Sequence, residues 1–145
     1  TAVRQKNVCL INLQRKVHIN CEYLNKAFEL LEGKLDTRLT RICITIVSDS
    51  KIKQLNKKFL NKNYPTDVLA FHYGKTGDII ISAETAQVQA FEMSHTLEEE
   101  LLYLIVHGIL HLNGYDDTHA KSYEKMKKKQ DAIFTEISGS LNAKR

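Results

Sequence analysis

The sequence holds no tryptophan, one proline (Pro65), six glycines and three cysteines in 145 residues. No apolar run approaches the ~20 residues a bilayer-crossing helix needs, so a transmembrane segment is excluded. No long apolar segment follows the opening residues Thr1 to Lys6, and a secretory signal is not expected. Cys9, Cys21 and Cys43 are odd in number and lack CxxC spacing, so they read as buried, reduced thiols suited to a reducing cytoplasm. Internal repeats and low-complexity tracts are also missing. What is present is ordinary for a folded protein: 43% hydrophobic and 26% charged residues, in a length that fits one domain over residues 1–145.

The net charge of +4 is mild. It permits a polyanionic partner without demanding one. The lysines are bunched, with Lys51, Lys53, Lys57, Lys58 and Lys62 in one segment and Lys125, Lys127, Lys128 and Lys129 in another. A solvated helix face accounts for either cluster when nothing else points to a ligand.

Hydrophobic periodicity predicts mixed α and β structure without regular βαβ alternation. Residues 8–13 and 41–47 read as strands, the second rich in β-branched residues. Asn20 caps a helix that stops at Gly33, and Ser48 or Asp49 caps another through Phe59. Residues 68–73 and 78–82 form a hairpin across Gly74 to Gly77. Ser82 caps a helix through Phe91. Thr96 and Glu99 make a capping box before an apolar helix that Asn113-Gly114 ends. A last amphipathic helix runs from Tyr123 to Ile137, with Met126, Ile133 and Phe134 inward.

The densest chemical signal is His107-Gly-Ile-Leu-His111-Leu-Asn-Gly114-Tyr-Asp116-Asp117. Histidines at i and i+4 share a helix face, their Cβ atoms about 5–6 Å apart, and can converge on one zinc ion with bonds near 2.0–2.1 Å. Gly114 lets the chain reverse, so that Asp117 can close a triad from another direction. Three protein ligands leave a fourth position open, the catalytic pattern for zinc. His119 competes with Asp117 for the third place. The HExxH peptidases carry their general-base glutamate directly after the first histidine, where this chain has Gly108, which counts against that mechanism.

Beyond the histidine pair, several motifs stand in order from about residue 42 to 126: Leu55-Asn56, Pro65-Thr-Asp-Val-Leu-Ala-Phe71, Gly77-Asp-Ile-Ile-Ile-Ser82, Glu99-Glu-Leu101 and the His107 to Asp117 signature. Together they closely resemble the YbeY endoribonucleases. The resemblance implies a single α+β domain in which about five helices pack a small, mixed four-stranded sheet, with the metal site at the end of a central helix. It implies one Zn2+ per chain and single-stranded RNA as substrate. It also implies a cytoplasmic role in 3′-end maturation of small-subunit rRNA and in ribosome quality control. Two positions depart from the family pattern. Asp117 stands where a third histidine is common, and Leu60 stands where arginine follows the aromatic at Phe59.

These residues imply a metal-assisted phosphodiester hydrolase. His107, His111 and Asp117 hold the metal, and Lys62 offsets charge developing on the phosphate. Asp116 is a candidate base, as is Asp78. Lys58, Thr66 and Asp67 are candidate substrate contacts, although Thr66 and Asp67 serve equally well as loop anchors after Pro65. The competing readings are a zinc hydrolase of a non-RNA substrate, which Gly108 disfavours, and a non-catalytic ribosome assembly factor stabilised by zinc, which Leu60 keeps open.

Overall fold

A computed structural model describes residues 7–32, 34 and 39–143, so the opening segment and the expected helix stop at Gly33 lie outside the described residues. The elements follow in the order β1 (Asn7–Asn12), α1 (Cys21–Glu32), β2 (Arg41–Val47), α2 (Asp49–Leu60), β3 (Val68–Tyr73), β4 (Thr76–Ser82), α3 (Ala83–Glu92), α4 (Leu97–Leu112) and α5 (Ala120–Ala143). The strands form one mixed sheet in the order β1-β2-β4-β3. β1, β2 and β4 run parallel, and β3 returns antiparallel against β4. The α+β architecture, with five helices and four strands among the described residues, is the one expected.

Alternation in β2 explains how the sheet is packed. Ile42, Ile44 and Ile46 are buried while Cys43 and Thr45 between them are half-buried. The isoleucine face, continued by Ile79 and Ile81 of β4, forms the main core with α1, α4 and α5. On the opposite face Ile52 of α2 packs with Val47 and Leu69, joined by Phe71 and Ile80. Cys9 and Cys43 are register partners on this second, more open face, and Cys21 opens α1. All three thiols are free and half-buried, a correction to their expected full burial.

The caps lie where the sequence places them. The Ser48, Ser82 and Thr96 side chains accept from the N–H groups of Lys51, Thr85 and Glu99 at 3.1–3.2 Å. Glu99 completes its box by accepting from the Thr96 N–H at 2.9 Å. Two boundaries differ from expectation. The hairpin link is only Gly74-Lys75, because β4 starts at Thr76 and Gly74 supplies the positive φ of 57° that a two-residue turn needs. The last helix begins at Ala120 rather than Tyr123 and runs to Ala143 rather than Ile137. Its first turn is closed by the Tyr123 N–H donating to the His119 carbonyl at 2.8 Å. At its far end Ile137 is fully buried and Leu141 packs against the core.

α4 positions the site. It is apolar around most of its circumference and buries nine residues from Glu100 to Leu110, as a central helix must. It can lie close to β4 because position 108 lacks a side chain: a Cβ on Gly108 would stand 3.0 Å from Ile79 Cγ2.

Candidate metal centre

His107 and His111 project from the last two turns of α4, with ring centroids 4.7 Å apart and planes at 77°. After the helix cap at Asn113, Gly114 takes φ 93°, a conformation L side chains rarely adopt. The following turn is held by Asp116, whose Oδ1 accepts from both the N–H and the hydroxyl of Thr118 at 2.5 Å. Those bonds hold the Asp116 carboxyl below the usual carboxylate range. The reversal brings Asp117 Oδ2 to 3.5 Å from His111 Nε2 and 3.8 Å from His107 Nε2. Among the described residues this is the one group of three such side chains whose donor atoms lie within 4.8 Å of one another.

The donor set suits a cation. Tetrahedral bonds of ~2.0–2.1 Å put neighbouring ligand atoms roughly 3.3 Å apart, close to the spacings found. Lone pairs turned toward one point repel each other unless a cation lies among them. The tautomer of His107 is consistent with this. Its Nδ1 lies 3.0 Å from Gln130 Oε1, and Gln130 Nε2 donates to the Tyr103 carbonyl at 3.1 Å.

Beside the triad is a cleft of about 170 Å3 walled by Asp67, Gln89, Glu100, Tyr103, Lys127 and Gln130 together with His107 and Asp117. Five parts of the chain therefore meet at one site: the loop before β3, α3, α4, the turn after α4 and α5. A sequence profile described as Endoribonuclease YbeY matches residues 4–138. The chain belongs to the YbeY endoribonuclease family.

Curated relatives agree in extent. The chain is 41% identical to an Endoribonuclease YbeY of Aquifex aeolicus, over 95% of this chain and 97% of that protein. It is 38% identical to one from a Sulfurihydrogenibium species, over 94% and 97%. A solution structure of a Thermotoga maritima protein superimposes with a TM-score of 0.68 at 29% identity, covering 94% of this chain and 93% of that one.

Within this YbeY fold, His119 stands apart from the triad. Its N–H donates to Ser122 Oγ at 3.2 Å, and its carbonyl serves the first turn of α5. Asp67 lies in the cleft and is also an anchor: Oδ1 accepts from the Val68 N–H at 2.8 Å, and Oδ2 accepts from Gln89 at 3.2 Å. Thr66 donates to Asp67 Oδ1 at 3.4 Å. Asp78 lies on β4 opposite Cys43, on the face away from α4. Lys58 sits over the Phe59 ring at 5.4 Å and borders a separate hollow on α2. Lys62 follows the αL residue Asn61 and is exposed; it lines neither that hollow nor the cleft.

Lys127 and Gln130 had no motif to announce them, and the Glu99-Glu-Leu101 motif covers Glu100 without giving it a role. Lys127, within the lysine-rich run of α5, borders the cleft and pairs with Asp131 at 3.4 Å. Gln130 contacts the His107 ring. Glu100 is only 3% exposed, with Oε1 3.2 Å from His95 Nδ1. Burial pushes the Glu100 carboxyl above the usual range, opposed by the His95 hydrogen bond and reinforced by the charge of Asp67. The inward spacing of Met126 and Gln130, four residues apart, is the trace that the α5 part of this wall leaves in the sequence.

Proposed function

We propose that the chain is a zinc-dependent, single-strand-specific endoribonuclease of the cytoplasm that matures the 3′ end of small-subunit rRNA and serves ribosome quality control. The observation that carries this reading is the convergence of His107, His111 and Asp117 beside a cleft that a cation also borders, in a chain of the YbeY family. Nitrogen and carboxylate donors in a group of three match a catalytic zinc site, in which an open position remains. When bound, zinc supplies Lewis acidity and lowers the pKa of a water molecule toward ~7.

The remaining work falls to side chains. A cleft of about 170 Å3 is small beside the ~300–1,000 Å3 of small-molecule sites, which suits one phosphodiester of a longer strand. Lys127 is placed to offset phosphate charge there, a role for which Lys62 and Lys58 are the competitors on α2 and its following loop. Asp67 fixes the floor of the cleft. Asp116 is assigned to holding the turn that delivers Asp117, because two hydrogen bonds already stabilise its carboxylate and weaken it as a base. A peptidase of the HExxH type does not fit, since Gly108, packed against Ile79, supplies no general-base glutamate.

The decisive experiment measures metal content and cleavage of single-stranded RNA on one preparation. The expected result is close to one zinc per chain, cleavage of single-stranded but not duplex RNA, and loss of both metal and cleavage in His107→Ala and His111→Ala. Zinc retained by a chain that cleaves nothing would move the assignment to a zinc-stabilised assembly factor. Zinc retained in the double alanine variant would remove the metal site itself.

A further inference from the structure

Gln130 lies on α5, 23 residues from His107 in sequence, and is 4% exposed. A buried primary amide must satisfy two different ends, and here the surroundings decide which end goes where. The Tyr103 carbonyl can only accept, so the nitrogen of the amide must be the atom 3.1 Å from it. That leaves the amide oxygen facing His107 Nδ1 at 3.0 Å. An oxygen in that position can only accept, so Nδ1 must carry the ring proton. In the neutral ring Nε2, the ring nitrogen that faces Asp117, is then left with its lone pair.

We infer that Gln130 is a positioning residue that locks His107 in the Nδ1–H tautomer and so preloads Nε2 as a metal donor. The inference rests on the zinc reading above for its purpose, although the tautomer it predicts exists without metal. The chain of constraint starts at a backbone carbonyl of α4, passes through the α5 amide and returns to α4 one turn later. Tyr103 reinforces it, because its hydroxyl donates to Asp131 of α5 at 2.7 Å, fixing the two helices at the same level. An outer partner of this kind typically changes metal affinity by ~10–100-fold when removed.

The test uses the full chain with its metal removed by chelator, uniform 15N labelling and long-range 1H–15N correlation of the histidine rings. His107 is identified by its loss in His107→Asn. The expected spectrum shows His107 as the Nδ1–H tautomer in the parent chain and as a mixture in Gln130→Met. Gln130→Glu, whose carboxyl when protonated accepts from Nδ1 through one oxygen and donates to the Tyr103 carbonyl through the other, should retain the pattern. Zinc affinity, read by competition with a chromophoric chelator, should fall about 10–100-fold in Gln130→Met and recover most of the loss in Gln130→Glu. An Nε2–H tautomer in the parent chain would overturn the inference, as would a Gln130→Met variant with unchanged affinity. Should Gln130→Met fail to fold, the parent spectrum and Gln130→Glu still decide the matter. A parent chain that shows the tautomer yet binds no zinc would instead defeat the zinc reading.

Discussion

At the scale of single residues, the site depends on what position 108 lacks. Gly108 lets α4 lie on Ile79, and a methyl group there would press on buried side-chain atoms at 3.0–3.1 Å. Overpacking of this kind costs about 1–3 kcal/mol against the ~1 kcal/mol alanine gains over glycine within a helix, so Gly108→Ala should lower the thermal midpoint by a few degrees in the metal-free chain. An unchanged midpoint would show that Ile79 yields easily. Asp117→Ala should weaken zinc binding far more than His119→Ala, and Asp117→His should keep the metal; chelator competition reads all three. The triad was legible because it is local: a helical spacing, a helix stop and a short return occupy eleven consecutive residues. Glu100 was not, since nothing in Glu98-Glu-Glu100 tells which glutamate turns inward. Its pH signature does. The folded value lies above the ordinary 4.5, so the folded chain keeps a proton the unfolded chain has released. The resulting destabilisation is absent below about 4.5 and grows as pH rises through the folded value. Glu100→Gln should therefore gain midpoint relative to the parent as pH is raised from 4 to 8, measured without metal, whereas a pH-independent difference would contradict the burial argument.

At the scale of elements, the helix starts were readable because they are written in three or four residues. Ser48, Ser82 and Thr96 each satisfy an orphan N–H that the chain itself cannot. Two of these starts are also joined: Asp49 of α2 accepts from the Ser82 hydroxyl and, at 2.7 Å, from that of Thr85. Such a joint is tertiary and leaves no local mark. The start of α5 escaped for a different reason, as His119 precedes the helix where Ser, Thr, Asp or Asn would have signalled a cap. Its end escaped because the apolar residues beyond Ile137 are sparse. The capping box before α4 offers a clean measurement, since Thr96 and Glu99 are remote in chain from the triad. Thr96→Ala should cost about 1 kcal/mol in denaturant unfolding, with zinc affinity unchanged. A matching loss of zinc affinity would mean that the start of α4 sets the geometry of its end.

At the scale of the whole molecule, charge is distributed differently from what the lysine clusters imply. The α2 cluster stands next to Leu60, where the resemblance leads to the expectation of an arginine. Yet Lys58 is drawn onto the Phe59 ring, and Lys62 continues past the helix cap into an exposed loop. The cation at the cleft comes from the other cluster, through Lys127, which the fold of α5 against α4 delivers beside His107 and Asp117. Lys127 is half exposed and shared with Asp131, so it can turn to a phosphate for little cost while Asp131 keeps its bond from Tyr103. A lysine contacts phosphate as a point charge rather than a fork, and its contribution is correspondingly screened by salt. Removing it should leave zinc content unchanged and slow cleavage of single-stranded RNA by about 10–100-fold, the range expected for one partly exposed charge on a developing anion. The effect of Lys127→Ala should exceed that of Lys62→Ala or Lys58→Ala, and it should shrink as ionic strength is raised. Lys127→Arg should retain most of the rate. If Lys62→Ala is instead the slowest variant, the strand runs from the cleft over the loop after α2, and the charge expected beside Phe59 has been replaced two residues along rather than from across the molecule.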